Sequence, residues 1–349
     1  MDSERYKSVV RWQKIGLSAL CVILALVLLV MIFVTAYVHH LAGLISVDPD
    51  STLNSTMSPE DAATATGNED ETDYTGETVH PSDVTIDTLP SDIDLDHDGV
   101  VNIMLIGEDR RPGEGRQRSD SMILCSFNTN NNTMTMISFL RDTYVTIPGG
   151  YESQKMNAAY QFGGPKLLNE VLAVNFGVHV DASIMVDFDG FRSVIDLLGG
   201  VDINLTQKEV DYLNARGYNL TVGMNHLNGD EALTYSRIRK IDMDAMRAQR
   251  QRNVLSSLIA AYKGKSLTEM VNIATKILQS GMVTSDMTSQ EVINYVVDLF
   301  PMLSGMAIKN QQIPASGTYV EQTVGRFTYC KVPDLVANRE ILSEIMNAK

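Results

Sequence analysis

The longest apolar stretch comes first. From Ile15 to Val38 no charged side chain interrupts the chain. At about 1.5 Å per residue a helix of that length reaches ~36 Å, enough to cross a ~30 Å hydrocarbon core with some tilt. Residues 39–98 then turn polar, rich in Ser, Thr, Asp and Glu with few large apolar groups. Such a segment buries too little apolar surface to offset its ordering entropy, and it is expected to be a flexible linker. From residue 99 the pattern changes again, to short apolar runs alternating with helical periodicity.

Val101–Ile106, closed by Gly107, is a short apolar run of the kind that makes a buried strand. Met122–Phe127 and Met134–Phe139 are further strands, with the polar turn Asn128–Thr133 between them. Gly163-Gly164-Pro165 opens a helix that runs to about Phe176, with Pro165 suited to a first turn. Ile184–Phe188, Phe191–Leu198 and Val201–Leu205 read as strand, helix and strand, the spacing of a parallel crossover unit. Asn228 caps a short helix to Tyr235, and a long helix covers about Ala245–Tyr262. Two later helices and a strand region, Phe327–Val332, complete the pattern. Residues 99–349 are therefore expected to form one α/β domain, a layered α–β–α arrangement around a mixed sheet, with no internal repeat and no second boundary.

Charge refines the organisation. The chain of 349 residues carries 28 basic and 43 acidic side chains, but the excess is local: residues 41–100 hold fifteen acidic and no basic groups. Residues 101–349 are nearly balanced, with no basic stripe or finger motif for nucleic acid. Arg5, Lys7, Arg11 and Lys14 precede the apolar run, so the positive-inside rule makes 1–14 a cytoplasmic tail, 15–38 an uncleaved transmembrane helix and 99–349 extracytoplasmic. A cleaved signal fits less well, because its apolar region is normally ~7–15 residues and ends in a small-residue site. Asp94, Asp96 and Asp98 alternate like a calcium loop, but Leu105 stands where the bidentate Glu belongs. Cys125 and Cys330 would share an oxidising exterior; both sit in apolar, strand-like runs, so pairing and plain burial are both open.

The chemistry gathers in a few places. Asp109 ends the turn after the first strand and Asp120 lies just before the next, so the two carboxylates return to one sheet edge. Paired hard oxygens suit Mg²⁺, which also takes phosphate oxygens; solvated loop charges are the competing account. Arg118 projects beside them. On the long helix, Gln251 and Arg247 share the face of Val254, Leu255 and Leu258, while Arg250 and Arg252 flank it on opposite sides. An arginine on an inward face is costly without a partner; a phosphate or an internal carboxylate would serve. Arg237 and Arg239 bracket Ile238, and on an extended chain that spacing aims both guanidiniums to one side; exposed basic residues after a helix are the competing account.

Several of these residues stand in recognisable runs. Arg118-Ser119-Asp120-Ser121-Met122, Ser138-Phe139-Leu140-Arg141-Asp142-Thr143-Tyr144-Val145 and Lys155-Met156-Asn157-Ala158-Ala159-Tyr160 come in order. Gly199-Gly200-Val201, the run Leu227–Arg239 and the run Asp242–Gln251 follow them. Together they resemble the LytR-CpsA-Psr family of cell-wall glycopolymer phosphotransferases, with Phe139 and Leu140 as departures. The resemblance implies Mg²⁺ on Asp109 and Asp120, and a lipid pyrophosphate gripped by Arg118, Arg141, Arg237, Arg239 and Arg247 with Lys155 and Gln251 nearby. Arg118, Arg247 and Asp120 are the implied catalytic groups. It implies a polyprenyl tail in an apolar tunnel, for which the helices around Leu167–Leu172 and Phe191–Leu198 are candidate walls, with plain core packing the commoner account of each stripe. The implied reaction moves a glycopolymer (teichoic acid, capsule or another polysaccharide) from polyprenyl pyrophosphate to a peptidoglycan hydroxyl. A hydrolase of the same lipid and a non-catalytic envelope sensor or wall-binding protein are the alternatives.

The charge-free run and its basic flank predict the topology. Protease added to intact protoplasts should remove residues 39–349; full protection of the folded domain would refute it.

Overall fold

A computed structural model describes residues 55–64, 77–90, 97–108, 115–239, 241–242, 244–263, 283–287 and 305–347, with the short strand Ser46–Val47 and single residues between 281 and 302. Its longer strands are β1 (Val100–Glu108), β2 (Ser119–Asn128), β3 (Thr133–Phe139), β4 (Ala182–Asp187), β5 (Val201–Leu205), β6 (Gly223–Leu227), β7 (Ala307–Ile313), β8 (Tyr319–Val324) and β9 (Phe327–Pro333). The helices used below are α1 (Asn157–Phe176), α2 (Phe188–Leu198), α3 (Gln207–Asn214), α4 (Gly229–Ser236), α5 (Asp244–Lys263) and α6 (Leu335–Asn347).

The expected mixed sheet is present. β1, β2 and β3 form an antiparallel meander, β4 pairs parallel with β1, and β7 pairs parallel with β3. Thr284–Ser285 and then Ser46–Val47 extend the sheet beyond β4. Alternation on β2 explains the layers. Leu124 faces a core with Ile106, Ile137, Leu168 and Val171 of α1 and Leu342 of α6. Its neighbours Ile123 and Cys125 face a second core with Met134, Met136 and Leu255 of α5. Every residue of β3 is buried, as a strand covered on both faces must be. A third core joins β5 and β6 to α2–α5 through Ile195, Ile203, Val210, Tyr235 and Val254.

Four expectations change. Val201–Leu205 is a strand, but not the return strand of a parallel crossover: it pairs antiparallel with β6 in a separate two-stranded sheet. The place beside β4 is taken by Thr284–Ser285, and Asp202 and Asn204 are exposed, so β5 has one apolar face rather than two. α1 begins at Asn157, ahead of the glycines; Gly163 and Gly164 leave helical geometry and kink it before Pro165. β7 was not anticipated, because an edge strand reading Ala-Ile-Lys-Asn-Gln-Gln-Ile carries little apolar signal. Last, three parts of the expected linker 39–98 pack on the domain, the first being Ser46–Val47 in the main sheet. Met57 N donates to Phe162 O at 2.7 Å and Ala62 is buried. Thr78–Val79 pairs with β8, Ile86 meets the main core and Leu89 N donates to Val174 O. Their apolar residues are sparse but sufficient for short docking contacts.

Cys125 and Cys330 are free, buried thiols in different cores, so pairing is excluded in this fold. The transmembrane expectation for 15–38, the residue Asp109, and Asp94 and Asp96 all lie outside the described residues. Among the described residues no helix is long and apolar enough to cross a membrane.

The close approach of α4 to α2 depends on Gly229. A Cβ there would lie 2.3 Å from Arg192 O, and Gly229 N donates to Asp196 Oδ1 at 2.7 Å. Gly229→Ala should cost ~1–3 kcal/mol through overpacking. Thermal unfolding checks this; an unchanged Tm would mean the two helices separate freely.

Candidate active site

One sheet edge collects the functional groups. β1 ends at Glu108, whose register partners are Ser119 at the start of β2 and Asp187 at the end of β4. Glu108 is buried and closes the intervening loop: Gln117 N donates to its Oε1 at 2.9 Å and the Tyr160 hydroxyl to its Oε2 at 3.2 Å. Arg118 and Asp120 follow. β3 ends at the same edge, so the next turn brings Arg141 and Asp142 there.

Asp120 is the first meeting point. Its Oδ1 accepts from Arg141 Nη1 and from Arg239 Nη2, each at 3.0 Å. Asp142, almost fully buried, is the second: Lys155 Nζ lies 3.2 Å from its Oδ1 and Arg141 Nε 3.3 Å from its Oδ2. Burial alone would raise both carboxyls, but the attraction of Arg141, Arg239 and Arg247 outweighs it at Asp120. Arg141, Lys155 and Arg247 do the same at Asp142, so both are held below the usual carboxylate range.

Arg247 lies buried in the first turns of α5 with its charge felt by both carboxylates. One turn on, Gln251 Oε1 accepts from the Ser121 hydroxyl at 3.1 Å. Arg237 and Arg239 do converge, but not as an extended pair. Arg237 ends α4 with φ −101° and ψ 3°, and its guanidinium stands 4.1 Å from the centre of the Phe188 ring.

All seven described cationic and amide candidates (Arg118, Arg141, Lys155, Arg237, Arg239, Arg247 and Gln251) line one cavity of about 780 Å³, together with Asp120. Eight basic and four acidic side chains line it in all, an excess that suits an anion. The same cavity continues between Leu105, Ile184, Val186, Phe191, Val194 and Leu255, which are apolar. Phe191 and Val194 of α2 lie on its wall. Leu167, Leu168, Val171 and Leu172 do not; they belong to the core on the other side of the sheet.

The LytR_cpsA_psr family model matches residues 54–338. The chain belongs to this family. It is 38% identical over 172 residues to the polyisoprenyl-teichoic acid–peptidoglycan teichoic acid transferase TagU of Bacillus mycoides, covering 49% of this chain and 54% of that protein. It is 38% identical over 184 residues to the regulatory protein MsrR of Staphylococcus aureus, covering 52% of each. The matches therefore span about half the length of these curated relatives. Among solved structures, TagT bound to LI-WTA matches with a TM-score of 0.59 and 26% identity, over 72% of this chain and 90% of that one. Bacillus subtilis TagV matches with a TM-score of 0.57 and 29% identity, over 71% and 97%.

Within this LytR_cpsA_psr domain several groups escaped the reading of the sequence. Asp142 stood inside a quoted run, yet its place as the buried counter-charge of Arg141 and Lys155 needs the turn after β3. Glu108 was hidden as one more polar residue at a strand end. Arg250 looked like a flank of the α5 stripe, but it is the internal ion pair once considered for Arg247: its guanidinium holds Asp242 and Glu209. Arg252, also buried, donates to Ser138 Oγ at 2.6 Å and to Gln249 Oε1 at 2.7 Å, and burial pushes it down to about 10.

The lowered carboxyls make part of the fold's stability depend on acid pH. Asp120 and Asp142 contribute stability that is complete above the unfolded value of about 3.9 and is lost as pH falls through their lower folded values. Asp142→Asn breaks a buried pair, a cost of ~3–5 kcal/mol at neutral pH. Its stability should also fall less steeply than the wild type's below about pH 4. Chemical denaturation across pH 2–7 tests this, and parallel curves for the two proteins would remove Asp142 from the account.

Proposed function

We propose that this chain is a phosphotransferase that moves a glycopolymer from a polyprenyl-pyrophosphate carrier onto a peptidoglycan sugar hydroxyl. The observation that carries this reading is the single cavity whose arginine-rich mouth opens into an apolar trough. A soluble phosphate ester has no use for the trough, and a plain lipid has no use for the mouth. A lipid pyrophosphate uses both. The likeness to TagU and to TagT bound to LI-WTA supports the substrate class.

In this mechanism the prenyl chain lies along Leu105, Val186, Phe191 and Leu255, and the pyrophosphate rests among Arg118, Arg141, Arg237, Arg239 and Arg247. The acceptor hydroxyl attacks the phosphorus next to the polymer, the bond to the bridging oxygen breaks, polyprenyl phosphate leaves, and the hydroxyl proton passes to solvent or to the leaving phosphate. The energy comes from the pyrophosphate itself. The arginines hold the reacting phosphorus in place and balance charge on the leaving phosphate, which is where phosphoryl transfer gains most. Gln251, braced by Ser121, lines the approach from α5.

Magnesium enters the proposal through Asp120. Its lowered pKa keeps it ionised, and both arginines use Oδ1, so Oδ2 is the oxygen a cation would take. With Asp109 it would hold Mg²⁺, which when bound neutralises charge on the phosphate oxygens. The proposal also sets the domain outside the cell on the membrane anchor 15–38, where its lipid carrier and its wall acceptor meet.

The test is transfer by the full chain in detergent, from a polyprenyl-pyrophosphate glycopolymer to peptidoglycan fragments. Arg247→Ala should slow transfer by roughly 10²–10³ with little change in Tm, because its role is to meet the phosphate. Release of free polymer without linked peptidoglycan would replace the transferase reading with a hydrolase. A strongly destabilised variant with near-normal activity per folded molecule would defeat the assignment of Arg247.

A further inference from the structure

The segment between α4 and α5 carries Arg237 and Arg239, yet regular backbone structure stops early in it. Arg237 N and Ile238 N still donate to carbonyls of the last turn of α4. Beyond them, the side chain of Arg250 takes over. Its Nη1 donates to Ile238 O at 3.2 Å, the carbonyl that lies between the two arginines, and to Asp242 Oδ1 at 3.0 Å. Its Nη2 bonds Asp242 Oδ2, completing a two-pronged grip. On the far side its Nε donates to Glu209 Oε1 at 2.7 Å, while Glu209 Oε2 accepts from Thr206 N and Thr206 Oγ1 in the capping box of α3.

Arg250 is 2% exposed and does not line the cavity. It is three residues from Arg247 on the same helix, so α5 presents one arginine to the cavity and uses the other to tie down the segment that supplies two more. We infer that Asp242 is a positioning residue. Through Arg250 it fixes the segment 237–242, and so holds Arg239 at the distance from which it meets Asp120 and a pyrophosphate. The inference rests on the pyrophosphate reading of the cavity.

Two physical points favour this over a purely structural ion cluster. A buried guanidinium with two carboxylates gains little net stability over apolar packing, so its contribution here is to order the segment. The sign of the Asp242 effect also separates the accounts. By charge alone, neutralising a carboxylate on the arm of an anion site should tighten anion binding. By positioning, the same change should weaken it.

The experiment measures equilibrium binding of farnesyl pyrophosphate to the full chain in detergent, with Tm followed in parallel. Asp242→Asn should weaken binding about tenfold, as losing one well-placed charge-assisted hydrogen bond does. In an Arg239→Ala background the same substitution should cost less than about twofold, because the group it acts through is gone. Arg250→Lys, which keeps the charge but not the two-pronged geometry, should resemble Asp242→Asn. Glu209→Gln serves as the structural comparison, expected to lower Tm with little change in affinity of the folded fraction. Unchanged or tighter binding by Asp242→Asn overturns the inference. So does a loss that persists in full without Arg239, or one that merely follows Tm as in Glu209→Gln. If the wild-type chain itself does not bind farnesyl pyrophosphate, the pyrophosphate reading falls and takes this inference with it.

Discussion

Like charges repel, and the candidate site requires five arginines and a lysine to share one cavity mouth. Asp120 and Asp142 make that possible. Each accepts two cations directly, and Arg141 bridges the pair with Nη1 on one and Nε on the other. Asp142 is buried and Asp120 half-buried, so their attraction for the cations is less screened than in open water and outweighs the cost of leaving it. The arrangement remains short of neutral, which is what lets a further anion enter. Remove either carboxylate and the guanidiniums have reason to splay.

That electrostatic arrangement is possible because the sheet delivers its strand ends to one place. β1, β2, β3 and β4 all present a terminus at the same edge, and α5 lies across the adjacent face with Arg247 and Gln251 turned toward it. The apolar trough follows from the same geometry. β4, α2 and α5 do not close on one another completely, so Ile184, Val186, Phe191, Val194 and Leu255 remain partly accessible rather than sealed in the core. Affinity for a headgroup and affinity for a tail are thus two ends of one gap.

How much of this could be read from the chain depended on how locally each feature is encoded. Strands β1–β3 announced themselves because their runs are apolar, with β3 buried on both faces and β2 nearly so. The capped helix after Asn228 and the helix α5 were equally plain, since capping and periodicity lie in consecutive residues. Charged site residues were found where they stand in runs, as at Arg118-Ser119-Asp120 and Arg237-Ile238-Arg239. What stayed hidden depends on partners far along the chain. Arg250 needs Glu209, 41 residues away, before its role appears, and Asp142 needs the hairpin that carries Lys155. β7 hid for a different reason, because an edge strand is half solvated and its sequence looks like a loop. The stripe Leu167–Leu172 could be read as core or as cavity wall, because apolar spacing marks a buried face without saying which it meets; it packs in the main core.

The strand Ser46–Val47 has a consequence for where catalysis takes place. It extends the main sheet beside Thr284–Ser285, so the ordered body of the protein starts much closer to the proposed membrane helix than residue 99. Between Val38 and Ser46 there are seven residues, whose fully extended span is at most about 25 Å. A body tethered that tightly has little height to explore above the bilayer. On the proposed function, a site held that close to the bilayer would work near the plane in which carrier headgroups diffuse. Given that function and the proposed anchor, the acceptor wall would have to come down to the membrane, and the thickness of the layer between wall and bilayer would become a variable in the rate of attachment.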